Sequence, residues 1–570
     1  MEVNSILYAA ITSEGDSENL IIIEETEVKK VPARIQYLDG FFIISSYYVD
    51  NKYTTTNFKY FQYYEDHNIF ILISLCSYNN KKGLWLREGR VELFNSITLI
   101  YAVNICMAII VIFLERKDPT ATLAWVLVLL LFPGFGFLLY LLLAQNFSRK
   151  QLFIMKIYAK KSFGDYIRVQ RELFATGGLV FNDKNVESYK DLIKMNLFYH
   201  GFSYTQNNEV TIYTDGEKKF DELFRLIKEA KSHIHMEYYI MRNDTLGNNL
   251  LNLLSKKAQE GVEVRLLYDS VGGRQITGEQ IENLRRSGVK VAVFFASTIP
   301  FFNFKINYRN HRKIVVIDGI TGFVGGFNVG DEYVGLNNKI GYWRDTHLKI
   351  RGDAVIDLQT RFFLDWGHAS KEEVLFLPKY FPDNRIQGRV GIQIISSGPD
   401  SLDEAIKSNY VKMINSAKKS ILIQTPYFVP DASVFEAIKI AAASGVDVKI
   451  MIPCKPDHPF VYWATYWYCG GLLKYGVKVY TYEYGFLHSK TLVVDGTVAS
   501  VGTANFDVRS FKLNFECNGI IYDRDTSQML YDIFMEDLNY SMELTRELYL
   551  ERGILIRFKE SVSRLLAPLL

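Results

Sequence analysis

A chain of 570 residues with a formal net charge of +2 is too long for one ordinary core and too evenly balanced to grip a polyanion by bulk charge. Its densest basic cluster is only Arg309, Arg312 and Lys313, so no nucleic-acid partner is expected. The five cysteines (Cys76, Cys106, Cys454, Cys469 and Cys517) form no C-x-x-C pair, which excludes a disulfide framework or thiolate zinc site and fits a reducing compartment.

Residues 1–90 are rich in Tyr, Asn, Ile and Lys and show neither a stable period nor a signal peptide. They are expected to be an N-terminal extension, either poorly ordered or ahead of the native start. Val91, behind the purine-codable Arg87-Glu88-Gly89-Arg90, is the candidate alternative start.

Residues 91–145 carry two apolar segments. Ile97 to Leu114 is broken only by Thr98 and Asn104, and Ala121 to Ala144 holds no charge. Each approaches the ~20 residues that span a bilayer, so a transmembrane hairpin is expected. Pro133-Gly134-Phe135-Gly136 should kink or interrupt its second helix. Lys81, Lys82, Arg87 and Arg90 precede the hairpin, and Arg149, Lys150, Lys156, Lys160 and Lys161 follow it, against Arg116 and Lys117 in its loop. The positive-inside rule then places both flanks, and the catalytic part, in the cytoplasm of a multi-pass membrane protein.

After a linker, 146–208, a supersecondary order appears and then repeats. Strand Val210 to Tyr213, helix Glu217 to Lys231 and strand His233 to Met241 are answered by Val390 to Ile395, Leu402 to Lys418 and Ser420 to Gln424. The reading is α/β: one half at 209–370, a connector at 371–389, a second half at 390–545, packed about a pseudo-two-fold axis. The stretch Ala296 to Asn310 is either core filler or an apolar lip at the site. The tail, 546–570, ends in an amphipathic helix with Leu555, Phe558, Val562, Leu565, Leu566 and Leu569 on one face. That stripe suits either packing on the domain or a membrane interface.

The strongest signal lies within the repeat. From His311 to Asn328 and from His488 to Asn505 the chain places His, Lys, Asp, Gly and Asn at identical offsets: His311, Lys313, Asp318, Gly325 and Asn328; His488, Lys490, Asp495, Gly502 and Asn505. In each copy His and Lys fall two residues apart and share one side of a strand. The glycines are expected to admit substrate, and the asparagines to add neutral donors. Two lysines and two amides can stabilise charge on a phosphodiester without a metal or other cofactor. Two imidazoles permit double displacement, one attacking phosphorus and the other shuttling the proton. A carboxylate beside each ring would fix its tautomer. Aligning the repeats makes Asp345 the partner of His311, and Glu516 the partner of His488. Asp318 and Asp495 complete the candidate catalytic motif, although their place before a glycine at a strand end suits binding of turn amides. Glu237, Gln424, Asp507, Arg509 and Ser510 are weaker candidates to line the site.

These paired H-x-K-x4-D-x6-G-x-x-N stretches resemble the HKD motifs of the phospholipase D superfamily, and the chain is most similar there to bacterial cardiolipin synthases. The resemblance spans Val91 to Leu570 and includes Gly325-Gly326-Phe327-Asn328, Tyr342-Trp343-Arg344-Asp345, Pro426-Tyr427-Phe428-Val429-Pro430 and Asn505-Phe506-Asp507-Val508-Arg509-Ser510. It has no counterpart for residues 1–90, and Thr503 stands where the pattern often has Ser. It implies two phospholipase D-like α/β sandwich halves sharing one active site in a bacterial cell-membrane enzyme. The implied reaction moves a phosphatidyl group from one phosphatidylglycerol through a phosphohistidine to another, releasing glycerol, with His311 as nucleophile and His488 as acid. Hydrolytic phospholipase D or another phosphatidyltransferase is the nearest alternative; a nuclease or a non-catalytic membrane scaffold is further off.

Overall fold

The computed structural model describes residues 8–13, 18–24, 27–31, 34–38, 41–45, 61–62, 101–110, 112, 119–143, 166–296, 307–336, 341–372, 377–383, 386–401 and 403–565. The chain divides into two units, Met1–Thr98 and Leu99–Leu570. The first holds two antiparallel three-stranded sheets: Tyr8–Ser13, Glu18–Glu24 and Glu27–Val31; Arg34–Leu38, Phe41–Ser45 and Phe61–Gln62. The candidate start at Val91 lies outside the described residues, as do 144–145 of the expected hairpin, 146–165 of the expected linker, 297–306 of the expected lip and 566–570 of the tail.

In the second unit, helical segments at 101–110, Pro119–Leu131 and Phe135–Leu143 pack around Ala108, Leu129 and Tyr140. Pro133 and Gly134 do more than kink the expected second span. Gly134 adopts φ +77°, and the Trp125 and Tyr140 rings meet at 5.4 Å, so the chain folds back on itself. No described helix is long and apolar enough to cross a membrane.

The two halves repeat one sheet. In the first the strand order is Lys290–Phe294, Glu263–Asp269, His233–Tyr238, Ile314–Ile317, Thr321–Gly325, His347–Gly352, Asn208–Tyr213. In the second it is Lys478–Tyr482, Asp447–Pro453, Ser420–Gln424, Thr491–Val494, Val498–Gly502, Asn514–Tyr522, Gly391–Ser397. Alternate side chains of the motif strands divide between cores. Ile314 and Val316 join Leu422, Val493 and Val501 between the sheets, while Val315 and Ile317 join Leu250 and Leu254 under the helices. A strand buried on both faces reads as an unbroken apolar run, which is why these strands lack polar alternation. Residues 184–200, read as the end of a linker, pack through Val186, Tyr189, Leu192 and Ile193 into the core of the second half.

Asp318 and Asp495 end the motif strands in the left-handed region, both at φ +54°. Asp318 accepts from the amides of Lys231, Ser232 and His233. Asp495 accepts from those of Lys418, Lys419 and Ser420 and from the Tyr189 hydroxyl. These bonds match the turn-amide role expected of strand-end aspartates: at the end of the strand away from His and Lys, each ties the entry of the neighbouring strand. Asp495→Ala is expected to cost about 2–3 kcal/mol of stability, read by denaturant unfolding, with turnover per folded molecule largely retained. Unchanged stability with lost turnover would return the aspartate to the chemistry.

Candidate active site

Each motif histidine is brought in by a strand that crosses to the other half. Arg309–Asn310 runs parallel to Asn514–Phe515, and Phe486–Leu487 parallel to Trp343–Arg344. The His311 amide then donates to the Phe515 carbonyl at 2.9 Å, and the His488 amide to the Arg344 carbonyl at 2.7 Å. Both acceptors stand one residue before a buried carboxylate. In consequence His311 Nδ1 lies 3.0 Å from both oxygens of Glu516, and His488 Nδ1 lies 2.5 Å from Asp345. The pairing expected from repeat alignment is thus reversed: each half supplies the carboxylate for the other half's imidazole. Alignment identifies equivalent positions, whereas contact here follows strand pairing between the halves.

The carboxylates are held with their own partners. Glu516 accepts from the Thr503 hydroxyl and from Asn514, and Asp345 from the Thr346 amide at 2.7 Å. The expected use of small residues also shifts. A Cβ at Gly325 would meet the His347 Cα at 2.5 Å, and one at Gly502 the Asn518 Oδ1 at 2.2 Å, so these glycines admit the adjacent strand rather than substrate. Gly326 makes room for the Asp345 carboxylate, 1.9 Å from where its Cβ would stand; the equivalent Thr503 instead binds Glu516.

Lys313 and Lys490 are buried, and each donates to the carbonyl of its own motif histidine. Burial pushes the Lys313 ammonium down to about 7 and Lys490 to about 8, against the pull of Glu516 and Asp345. Burial also lowers both imidazoles, His488 to about 4, where Lys490 repels the added charge and Asp345 resists the fall. Burial alone would raise the two carboxyls, but His488 and Lys490 hold Asp345 below its ordinary value, and His311 and Lys313 do the same for Glu516. Lys490 acts on His311, and Lys313 on His488, so the two motifs share one field. Because a carboxylate only accepts, the proton of each neutral ring sits on Nδ1, leaving Nε2 as the basic atom.

The asparagines serve the surrounding loops. Asn328 accepts from the Ile240 amide and donates to the Tyr333 hydroxyl, and Asn505 donates to Asp507. Asp507 caps Val508–Lys512 through the Ser510 amide, and Arg509 binds Asn307. Glu237 and Gln424 are buried, bonded to Asn310 and to Asp537. Sequence reasoning missed two arginines. Buried Arg312 makes two 2.8 Å contacts to Asp365 and reaches the Glu516 and Ser397 carbonyls; Arg344 binds Asp537, the Ser489 hydroxyl and the Asp345 carbonyl. Their adjacency to His311 and Asp345 was the available signal. Tyr239 sets its ring edge-on to His311 at 4.9 Å, and Trp343 stands 5.0 Å from His488.

This fold and site define the two-motif phospholipase D class. A family model described as cardiolipin synthase, PLD-like domain, matches residues 223–353 and 410–538, and one described as phospholipase D-nuclease N-terminal matches 102–145. The chain is 52% identical over 472 residues to a cardiolipin synthase of Oceanobacillus iheyensis, covering 83% of this chain and 98% of the relative. It is likewise 52% identical over 475 residues to the major cardiolipin synthase of Bacillus subtilis, with the same coverages. Phosphatidylserine synthase of Haemophilus influenzae shares the fold, with a TM-score of 0.51 at 16% identity over 67% of this chain and 96% of that one. The chain belongs to the cardiolipin synthase family.

The depressed lysines fix a sign. An unfolded lysine keeps its proton to about 10.4, whereas Lys313 releases it above about 7. The empty site therefore loses stability as pH falls through that interval, and an entering anion favours the charged forms. Sulfate, which does not titrate here, should bind at pH 8 with net proton uptake, seen as a binding enthalpy that varies with the ionisation enthalpy of the buffer. A buffer-independent enthalpy, or proton release, would contradict this electrostatic assignment.

Proposed function

We propose that this chain joins two phosphatidylglycerol molecules into cardiolipin and glycerol, by phosphatidyl transfer through a histidine. The observation that carries the reading is the pair of buried His-carboxylate dyads with a lysine at each, in a chain about half identical to proteins named cardiolipin synthase.

Nε2 of His311 attacks phosphorus of the first lipid, forming a P–N bond as the bond to the departing glycerol breaks. His488 gives its Nε2 proton to that glycerol oxygen. The hydroxyl of a second phosphatidylglycerol then returns a proton to His488 and attacks phosphorus, breaking the P–N bond and freeing His311. Lys313 and Lys490 neutralise the non-bridging oxygens. Glu516 supports imidazolium character on His311 as its ring acquires phosphorus, and Asp345 supports the charge on His488 before it donates. His488 is mostly neutral in the empty site, and the anionic substrate raises its affinity for the proton it must carry. One phosphodiester replaces another, so no nucleotide is needed to drive the exchange.

We further place the apolar segments near 97–144 in the bacterial cell membrane, with both flanks cytoplasmic. Their composition, the basic residues from Arg149 to Lys161, and the N-terminal family match at 102–145 support this reading.

Reconstitution with phosphatidylglycerol alone should yield cardiolipin and glycerol in equal amounts; phosphatidic acid as sole product would mean hydrolysis. With labelled phosphatidylglycerol and an acid-free quench, His488→Ala should retain covalent label and His311→Ala none. The opposite pattern would reverse the assignment of the nucleophile.

A further inference from the structure

The C-terminal helix Ile554–Leu565 is mounted on the catalytic unit the wrong way round for a core helix. Its buried positions are Glu560 and Ser563. Arg552 pairs with Glu560 at 2.9 Å, Lys559 lies 5.3 Å from the centre of the Trp463 ring, and Arg564 lies 4.7 Å from that of Trp467. Opposite these attachments, Ile554, Leu555, Phe558 and Leu565 are 83%, 74%, 66% and 70% exposed. At 100° per residue these four and Val562 form one arc, with Lys559 on one flank and Arg557 and Arg564 on the other. An apolar arc between cations is the pattern of a helix lying in the headgroup region of an anionic bilayer.

The helix beneath it ties this face to the chemistry. Pro459–Leu473 is packed against Ile554–Leu565 and begins after His458, beside Asp457. Asp457 accepts from the Tyr427 hydroxyl, and its charge acts on Lys490, so the start of that helix stands at the rim of the site. Phe460, in its first turn, is 55% exposed.

We propose that Ile554–Leu565, carried on Pro459–Leu473, docks the catalytic unit on an anionic lipid surface, immersing Ile554, Leu555, Phe558 and Leu565 so that the site opens onto the layer holding its substrate. This rests on the reading that the substrates are bilayer lipids. Docking adds a contact distinct from the apolar segments near 97–144, which tether the chain without orienting the site.

The test uses the full chain in phosphatidylglycerol-containing vesicles. Phe558→Trp should gain emission that lipids brominated on their tails quench, beyond the quenching of the parent protein; added emission without quenching overturns immersion. Leu555→Ser/Phe558→Ser should lose about 5- to 20-fold in turnover on vesicles while keeping its rate on dispersed short-chain phosphatidylglycerol, because it loses interfacial contact and no catalytic group. Equal loss on both substrates, or loss on neither, contradicts docking. A detergent-solubilised dimer that dissociates in the double variant would replace the bilayer by a second copy as occupant. Absence of turnover by the parent protein on either lipid form would sink the functional reading alone, because the quenching experiment does not depend on turnover.

Discussion

Two parallel strand pairings, each two residues long, hold the reacting groups in register: Arg309–Asn310 with Asn514–Phe515, and Phe486–Leu487 with Trp343–Arg344. Each ends on a histidine amide bonded across the interface and sets that imidazole against the carboxylate that follows. Neither half can complete a dyad alone. Arg312 and Arg344 reinforce the same seam, the first by reaching the Glu516 and Ser397 carbonyls, the second by reaching Ser489. Leu348, Val501 and Cys517 share the apolar layer behind it. Burying a guanidinium is costly unless it is paired and hydrogen-bonded, and both arginines meet that condition through Asp365 and Asp537.

The same enclosure explains the electrostatics. Two imidazoles, two ammonium groups and two carboxylates are removed from water together, and desolvation lowers every basic group while the mutual attractions keep both acids ionised. An empty pocket of this kind holds fewer protons than its members would in water. A phosphodiester supplies the missing negative charge, so binding substrate and charging the acid become one event. The halves are not electrically identical: Thr503 donates to Glu516, whereas Gly326 merely clears space for Asp345.

Much of this was legible in the sequence because duplication checks itself. The two strand orders correspond position for position, and the His and Lys of both copies share a field, as the matching offsets required. Contact across the axis was not legible. Equivalent residues of a repeat need not touch, and only the crossing strands show that Asp345 belongs with His488. Gly325 and Gly502 looked like openings for substrate because a missing side chain says nothing about which neighbour fills the space. In the tail the helical period was readable at Leu555, Phe558 and Leu565, but the side that packs was not, since attachment runs through Glu560 and through cations over Trp463 and Trp467. Pro133 and Gly134 marked an interruption, while the sharp return there depended on contacts between Trp125 and Tyr140.

The exchange of carboxylates between halves is tested most directly by nitrogen-edited NMR of histidine-labelled Asp345→Asn protein at neutral pH. Loss of the ionised acceptor should displace the Nδ1–H resonance of His488, whose ring is 2.5 Å from Asp345 in the native chain, and leave that of His311 in place. A displaced His311 resonance with His488 unmoved would contradict the account and restore pairing within each half.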